Sequence, residues 1–161
     1  MSRRHTVVDS PVGELTLVAE GDDLVGIYME DQRHHPGLET FGPRDGHGFD
    51  HVADQLGEYF EGERTAFDVP LRLAGTEFQR KVWRELLEIP AGETRTYGQL
   101  AAVLGRPTAS RAVGLANGKN PISIIVPCHR VVGANGSLTG YGGGLPRKRF
   151  LLELERGGGL F

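Results

Sequence analysis

Residues 96–118 read TYGQLAAVLGRPTASRAVGLANG. The stretch predicts two short helices. Thr96 followed by Gln99 is a capping box: the threonine side chain accepts from the third helical amide and the glutamine reaches back to the cap. The first helix then runs to Gly105, a residue suited to the left-handed conformation that ends helices. After Arg106-Pro107, Thr108 is expected to cap a second helix that closes at Asn117-Gly118. Two short helices across a tight glycine-containing turn form a helix-turn-helix, although plain helical bundles contain the same unit. The second helix is slim, with Ala109, Ala112, Gly114 and Ala116 and one long cation, Arg111. Readers of the wide major groove carry long polar side chains. A slim helix with a single arginine suits the narrow minor groove, where the code is degenerate and binding depends little on sequence. Small residues equally let helices pack closely, so the helix alone leaves both readings open.

Just upstream, TEFQRKVWRELLEI (76–89) has its own capping box, Thr76 and Gln79, and a stripe of Phe78, Val82, Leu86 and Ile89, stopped by Pro90 and Gly92. Before it the chain changes character. TVVDS (6–10), GELTLVAE (13–20) and LVGIYM (24–29) are β-branched, partly alternating and separated by turn residues, which predicts an antiparallel meander. Residues 31–48 read as a loop and FDHVADQLGEYFEGE (49–63) as a helix, with Phe49, Val52, Leu56, Tyr59 and Phe60 on one face. FDVPLRL (67–73) is extended, and Pro70 confines it to an edge. Downstream, ISIIV (122–126) predicts a buried strand, GSLTGYGGGL (136–145) a glycine-rich loop and PRKRFLLELER (146–156) a last helix, with a frayed GGGLF tail (157–161). Strands first and helices afterwards give an α+β fold, divided into an N-terminal unit (1–74) and a C-terminal unit (75–161).

The chain has 161 residues, 39% hydrophobic and 24% charged, an ordinary globular composition. The apolar run ISIIV is far short of the roughly 20 residues that span a bilayer, so no membrane partner is expected. The basic N-terminus MSRRHTVVDS has no apolar segment behind it, which argues against a signal peptide. A single cysteine excludes an intrachain disulfide. Together these predict a cytoplasmic protein. The net charge of −3 hides an asymmetry: residues 1–74 carry 6 Lys/Arg against 15 Asp/Glu, and residues 75–161 carry 12 against 6. Either the two surfaces pair with each other, or the basic half meets a polyanion from which the acidic half stays clear.

The single cysteine, Cys128, ends the apolar run in IIVPCHRVVG (124–133). A lone buried cysteine is usually an inert small hydrophobe. Its neighbours argue for chemistry. Pro127 cannot continue a strand ladder and turns the chain at Cys128. His129 supplies a base near neutral pH. Arg130 favours a thiolate if it is exposed, or else forms a structural ion pair. On a regular strand the adjacent histidine points away from the cysteine, so a bridging water is the natural link. No second cysteine exists and no histidine spacing converges on Cys128. His47 and His51, four apart, lie in a loop before a helix. No metal or other cofactor is expected.

VPCHRV (126–131), preceded by RAVGLANGKNPI (111–122) and followed by GSLTGYGGGLPRKRFLLELE (136–155), resembles the methylated-DNA–protein-cysteine methyltransferases, the O6-alkylguanine-DNA alkyltransferases. The resemblance runs from about Thr76 to Glu155, half the chain; the N-terminal half matches loosely, in length and element order. It implies an N-terminal ribonuclease-H-like α/β domain and a mainly helical, winged-helix-like C-terminal domain. The implied activity is irreversible, single-turnover transfer of an alkyl group from O6-alkylguanine, and also O4-alkylthymine, in double-stranded DNA to Cys128. The base is flipped through the minor groove. The implied protein is monomeric when free, and the sequence leaves cooperative assembly on DNA open.

Residue by residue, the resemblance makes Cys128 the acceptor, His129 the base acting through a water, and Glu155 the group holding the imidazole. Tyr97 would donate to the flipped guanine and Arg111 would fill the gap in the stack. Asn120 would tie the recognition helix to the active-site strand. Tyr141 and the glycine loop would wall the base pocket, with Lys148 holding that loop. Further contacts to substrate or DNA are implied for Thr96, Ala109, Ala112, Arg130, Val131, Gly142 and Gly143. Some relatives have a serine where this chain has Gly142, so a backbone N–H would have to serve in place of its hydroxyl. Some bind zinc through N-terminal cysteines, which this chain lacks. Two alternatives stand beside this reading. A lesion-binding protein of the same fold has its reactive cysteine replaced, and Cys128 argues against it. A cysteine hydrolase would need a distant histidine near Cys128 and has no use for a slim helix on a basic half.

Overall fold

The computed structural model describes residues 2–33 and 35–157. β1 (Arg3–Val8), β2 (Leu15–Glu20) and β3 (Asp23–Met29) form the expected antiparallel meander in the order β1-β2-β3. β1 starts three residues before the TVVDS run, where Arg3 opposes Glu20 in the register and its guanidinium meets that carboxylate at 3.1 Å. The strand alternation sends Leu15, Leu17, Ile27 and Met29 into the main core. On the other face Val18, Val25 and Tyr28 form a small cluster with Phe41. α1 (Asp50–Phe60) adds Val52, Leu56, Tyr59 and Phe60 to the main core. The FDVPLRL segment lies against β3: Leu24 donates its N–H to Pro70 O (2.8 Å) and Arg72 donates to Leu24 O (3.0 Å). Pro70 stands where no donor is required of it.

The C-terminal half is helical. α2 (Glu77–Leu86) begins at the Thr76–Gln79 capping box and buries Val82, Trp83 and Leu86. The Trp83 indole N–H donates to Ala116 O at 2.8 Å, pinning α2 to the helix that holds Ala116. β4 (Arg95–Thr96) leads through the Thr96–Gln99 capping box into α3 (Tyr97–Val103), and Gly105 ends the turn with φ +76°. α4 (Ser110–Gly118) completes the helix-turn-helix. Its expected Thr108 cap is not formed. Ala109 occupies the cap position instead: its carbonyl accepts the first helical bond, from Val113 N–H at 3.0 Å, while its own N–H closes the preceding turn on Arg106 O at 2.9 Å. β5 (Val131–Val132) pairs in parallel with β4, and α5 (Leu145–Glu155) closes the fold. The tail read as frayed lies, beyond Gly157, outside the described residues. No helix among the described residues is long and apolar enough to cross a membrane.

ISIIV is not a strand. Ile122 bridges Ile27 of β3 once, and the chain then coils into turns. Ile125 donates to Ser123 O (2.9 Å) around Ile124, whose φ is +75°. That is a γ-turn of the strained kind, rare for a β-branched residue and costing about 1–3 kcal/mol. Cys128 donates to Val126 O (2.8 Å) around Pro127, the relaxed inverse γ-turn. The side chain of Asn120 substitutes for a ladder: its Oδ1 accepts from Ile122 N–H (2.9 Å) and its Nδ2 donates to Val126 O (2.7 Å). Asn120 therefore ties the end of α4 to an active-site turn. Complete burial of Ile122, Ile124 and Val126 holds the strained shape.

Candidate active site

Cys128 opens a single 3₁₀ turn, Cys128–Arg130, and is 6% exposed. It faces a narrow slot of about 10 Å³ between Asn117 and Gly118 of α4 and the loop of residues 140–143, with Gln32 at one side. Burial pushes the Cys128 thiol up, opposed by the Asn120 side chain and the Lys148 charge. A thiol held in this way needs a base to become a nucleophile.

The base stands beside it. His129 is fully buried, and its Nε2 lies 2.7 Å from Glu155 Oε2. A carboxylate on Nε2 fixes the proton there, which leaves Nδ1 as the basic atom. Nδ1 is buried and has no hydrogen-bond partner among the described residues. Burial lowers the pKa of His129, as do the charges of Arg130 and Lys148, while Glu155 pulls it up. Burial alone would raise the Glu155 carboxyl. Hydrogen bonds from Arg130 and His129 outweigh it and bring the pKa down to about 2. Arg130 takes the ion-pair role: Nε and Nη2 grip Glu155 at 2.8 Å each, and Nη1 donates to Ile89 O at 2.6 Å. The buried guanidinium is thus turned inward, away from any exposed phosphate-binding surface.

Lys148 holds the glycine loop. Its buried ammonium donates to Val131 O (2.6 Å) and Thr139 O (2.8 Å), and burial lowers its pKa to about 8. Tyr141 packs over the slot, its hydroxyl 4.0 Å from Met29 Sδ. Gly143 has no room for a side chain, since a Cβ there would sit 2.6 Å from Met29 Sδ. Gly142 does have room, at 3.5 Å from Arg33 O, so packing does not force a glycine there. Its carbonyl accepts from Arg33 N–H at 2.7 Å, joining the loop to the N-terminal half.

Comparisons with known proteins identify the family and the fold. The family model described as 6-O-methylguanine DNA methyltransferase, DNA binding domain, matches residues 77–157, and its ribonuclease-like domain matches residues 4–73. The chain belongs to the 6-O-methylguanine DNA methyltransferase family. The methylated-DNA–protein-cysteine methyltransferase of Mycobacterium tuberculosis is 56% identical over 152 residues, 94% of this chain and 92% of that one. The Methanosarcina acetivorans enzyme is 48% identical, covering 94% and 97%. Among solved structures, M. tuberculosis OGT in complex with DNA superposes with a TM-score of 0.90 at 54% identity, covering 97% and 94%. An O6-methylguanine DNA methyltransferase from Methanococcus jannaschii gives 0.67 at 30%, covering 93% and 92%. The enzyme is thus a methylated-DNA–protein-cysteine methyltransferase with the expected α+β fold.

In this methyltransferase α4 divides its small residues between two tasks. Gly114 lies under Tyr97, where a Cβ would meet the ring at 3.7 Å, and Ala116 is buried beside Trp83. Arg111 and Ala112 face outward, with Ala109 half-buried at the start of the helix. One face of α4 thus uses its small residues for close packing, and the other leaves Arg111 and Ala112 exposed. Among the described residues Arg111 makes no side-chain hydrogen bond or ion pair. Thr96 spends its hydroxyl on capping α3, and Val131 is buried with its carbonyl on Lys148. His47 and His51 are exposed, and no group of three metal-ligating side chains occurs among the described residues.

Two residues of the site were not anticipated from sequence. Asn117 donates to Cys128 O at 3.3 Å, and its buried Oδ1, at the slot, has no partner among the described residues. The available signal was a polar residue on the buried face of α4, four positions after Val113. Tyr59 reaches Glu155 from α1 across 96 residues of sequence, and nothing local marks it.

Proposed function

We propose that this methyltransferase repairs DNA directly, moving the alkyl group of O6-alkylguanine, and of O4-alkylthymine, from a flipped base in duplex DNA to Cys128. The observation that carries the reading is a buried thiol beside a histidine whose far nitrogen rests on a buried carboxylate. Guanine O6 lies inside the duplex, so the base must leave the stack, at a cost of a few kcal/mol. Entry of α4 into the minor groove with Arg111 in the gap would offset part of that cost. A water between Cys128 and His129 Nδ1 carries the thiol proton to the imidazole, and Glu155 stabilises the imidazolium. The thiolate attacks the alkyl carbon. The carbon–O6 bond breaks with its electron pair on the purine, and Tyr97 donates to the leaving base. Tyr141 and Gly143 wall the base, and a backbone N–H near Gly142 serves O6. The product is a thioether that no ordinary base can cleave, so each molecule acts once. It works as a monomer when free.

Intact-mass measurement tests this. Incubation with a duplex containing O6-methylguanine should add one methyl group per protein molecule, on the peptide holding Cys128. Multiple turnover, or a methyl elsewhere, would refute the reading.

Arg111 tests the flipping step. Binding by phosphate and shape should be salt-sensitive and nearly indifferent to sequence. Arg111→Ala should slow repair of lesions in duplex by about 10-fold or more, in keeping with a flipping cost of a few kcal/mol. Reaction with free O6-alkylguanine, which needs no flipping, should change far less. Equal losses on both substrates would contradict the finger role.

A further inference from the structure

Glu155 accepts four hydrogen bonds, unevenly shared. Oε1 takes Arg130 Nε alone, while Oε2 takes Arg130 Nη2, His129 Nε2 and the hydroxyl of Tyr59 at 2.5 Å. Tyr59 comes from α1 in the N-terminal half and is 2% exposed. The two-point grip of Arg130 already fixes the carboxylate in place. What Tyr59 adds is a neutral donor on the oxygen that faces the imidazole.

We propose that Tyr59 is a positioning residue that acts through Glu155. By hydrogen-bonding Oε2 it draws charge from the oxygen facing His129, and so keeps the imidazole uncharged until the thiol releases its proton. The inference rests on the alkyl-transfer reading.

Two donors on one carboxylate oxygen compete for its charge. An imidazolium at His129 pulls harder on Oε2 than a neutral imidazole, and each step of that pull weakens the Tyr59 bond. The phenol therefore opposes protonation of His129. Burial and the neighbouring Glu155 raise the Tyr59 pKa, so the phenol stays protonated and remains a donor at every working pH. The other charges around the imidazole are Glu155 and Lys148 on α5 and Arg130 on its own turn, with Cys128 on the same turn and Tyr141 nearby on the glycine loop. Glu155 favours the imidazolium; Lys148 and Arg130 oppose it. Tyr59 tilts this balance by weakening the favourable member. An imidazole protonated before substrate arrives cannot accept the thiol proton, so the balance sets the acid limb of the reaction.

The test is single-turnover methyl transfer from an O6-methylguanine duplex, followed from about pH 4 to about pH 8, a span extended below the ordinary histidine range because burial lowers the pKa of His129. Tyr59→Phe should move the midpoint of the acid limb upward by about half a pH unit or more, the effect of one neutral hydrogen bond. Replacing Tyr59 with 3-fluorotyrosine, a stronger donor of nearly the same shape, should move it downward. Lost packing alone would reduce the amount of active protein without moving the midpoint. Midpoints unchanged in both variants, or shifted the same way in both, would overturn the proposal. Should Tyr59→Phe not fold, the fluorotyrosine protein decides alone. ¹⁵N NMR titration of the His129 ring in the same proteins reads the shift without any transfer. Wild-type protein that never methylates Cys128 would sink the alkyl-transfer reading, and the ring titration would still judge Tyr59.

Discussion

Cys128→Ser should hold alkylated duplex as the wild type does and transfer nothing from it, a rate loss of at least about 10⁴. A thiol titrates near pH 8.5, whereas a hydroxyl with the acidity of water titrates about seven units higher. The His129–Glu155 pair can lift a proton from the first and not from the second at neutral pH. Thiolate sulfur is also the better nucleophile at carbon. The substitution suits the slot, because a hydroxyl is smaller than a thiol and the Asn120 amide that acts on the thiol remains beside it. Gel-shift titration and single-turnover transfer, measured together, check this. Transfer within 100-fold of wild type would mean that another group accepts the alkyl.

Glu155→Gln should show two separable losses. The first is stability. The amide leaves Arg130 buried without its counter-charge and offers one acceptor where Tyr59, His129 and Arg130 need several. Breaking a buried ion pair in this way costs about 3–5 kcal/mol. The carboxyl pKa is about 2 in the folded protein against an ordinary 4.5. A lowered folded-state pKa stabilises above the ordinary carboxylate range, and that stability drains away as pH falls from about 4.5 toward 2. Wild-type unfolding free energy should follow that fall, and the glutamine protein should lack this part of it. The second loss is rate. Without the carboxylate the imidazolium is unsupported, and methyl transfer at pH 7 should slow by about 10-fold or more, against the 10²–10⁴ typical of general-base assistance. Raising the pH should recover part of it, because hydroxide then deprotonates the thiol directly. A variant that is only less stable, with its rate unchanged, would make Glu155 purely structural.

What the sequence disclosed was local. Both capping boxes, at Thr76–Gln79 and Thr96–Gln99, form as read, because each is complete within four residues. The meander was legible in its alternation and the end of α3 in Gly105. ISIIV deceived because five consecutive β-branched or small residues read alike whether buried in a strand or in a coil. The deciding bonds come from the Asn120 side chain and from a backbone angle at Ile124 that its residue type disfavours. Thr108 is not the cap because the turn from Arg106 runs one residue further, and the first helical carbonyl is that of Ala109. The pairing of His129 with Glu155 came from family resemblance, as neither residue points to the other across 26 positions. Tyr59 was legible only as core: its helical spacing explains the buried ring and says nothing of the hydroxyl.

The slot at Cys128 has a consequence for the spent molecule. About 10 Å³ is roughly the room for one water, and the Cys128 carbonyl is bonded to Asn117 of α4. Once the guanine has gone, the new S-alkyl group stays in a wall built for a bare thiol. Overfilling a well-packed interior costs about 1–3 kcal/mol, and a domain of this size holds only about 5–15 kcal/mol in all. The strain falls first on α4, which Asn117 ties to the Cys128 carbonyl, and on the loop that Lys148 pins. On the proposed reaction, used copies should be less durable than fresh ones, with a lower unfolding midpoint for the S-methylated protein than for the unreacted one. The act of repair leaves on the protein a mark of its own expiry.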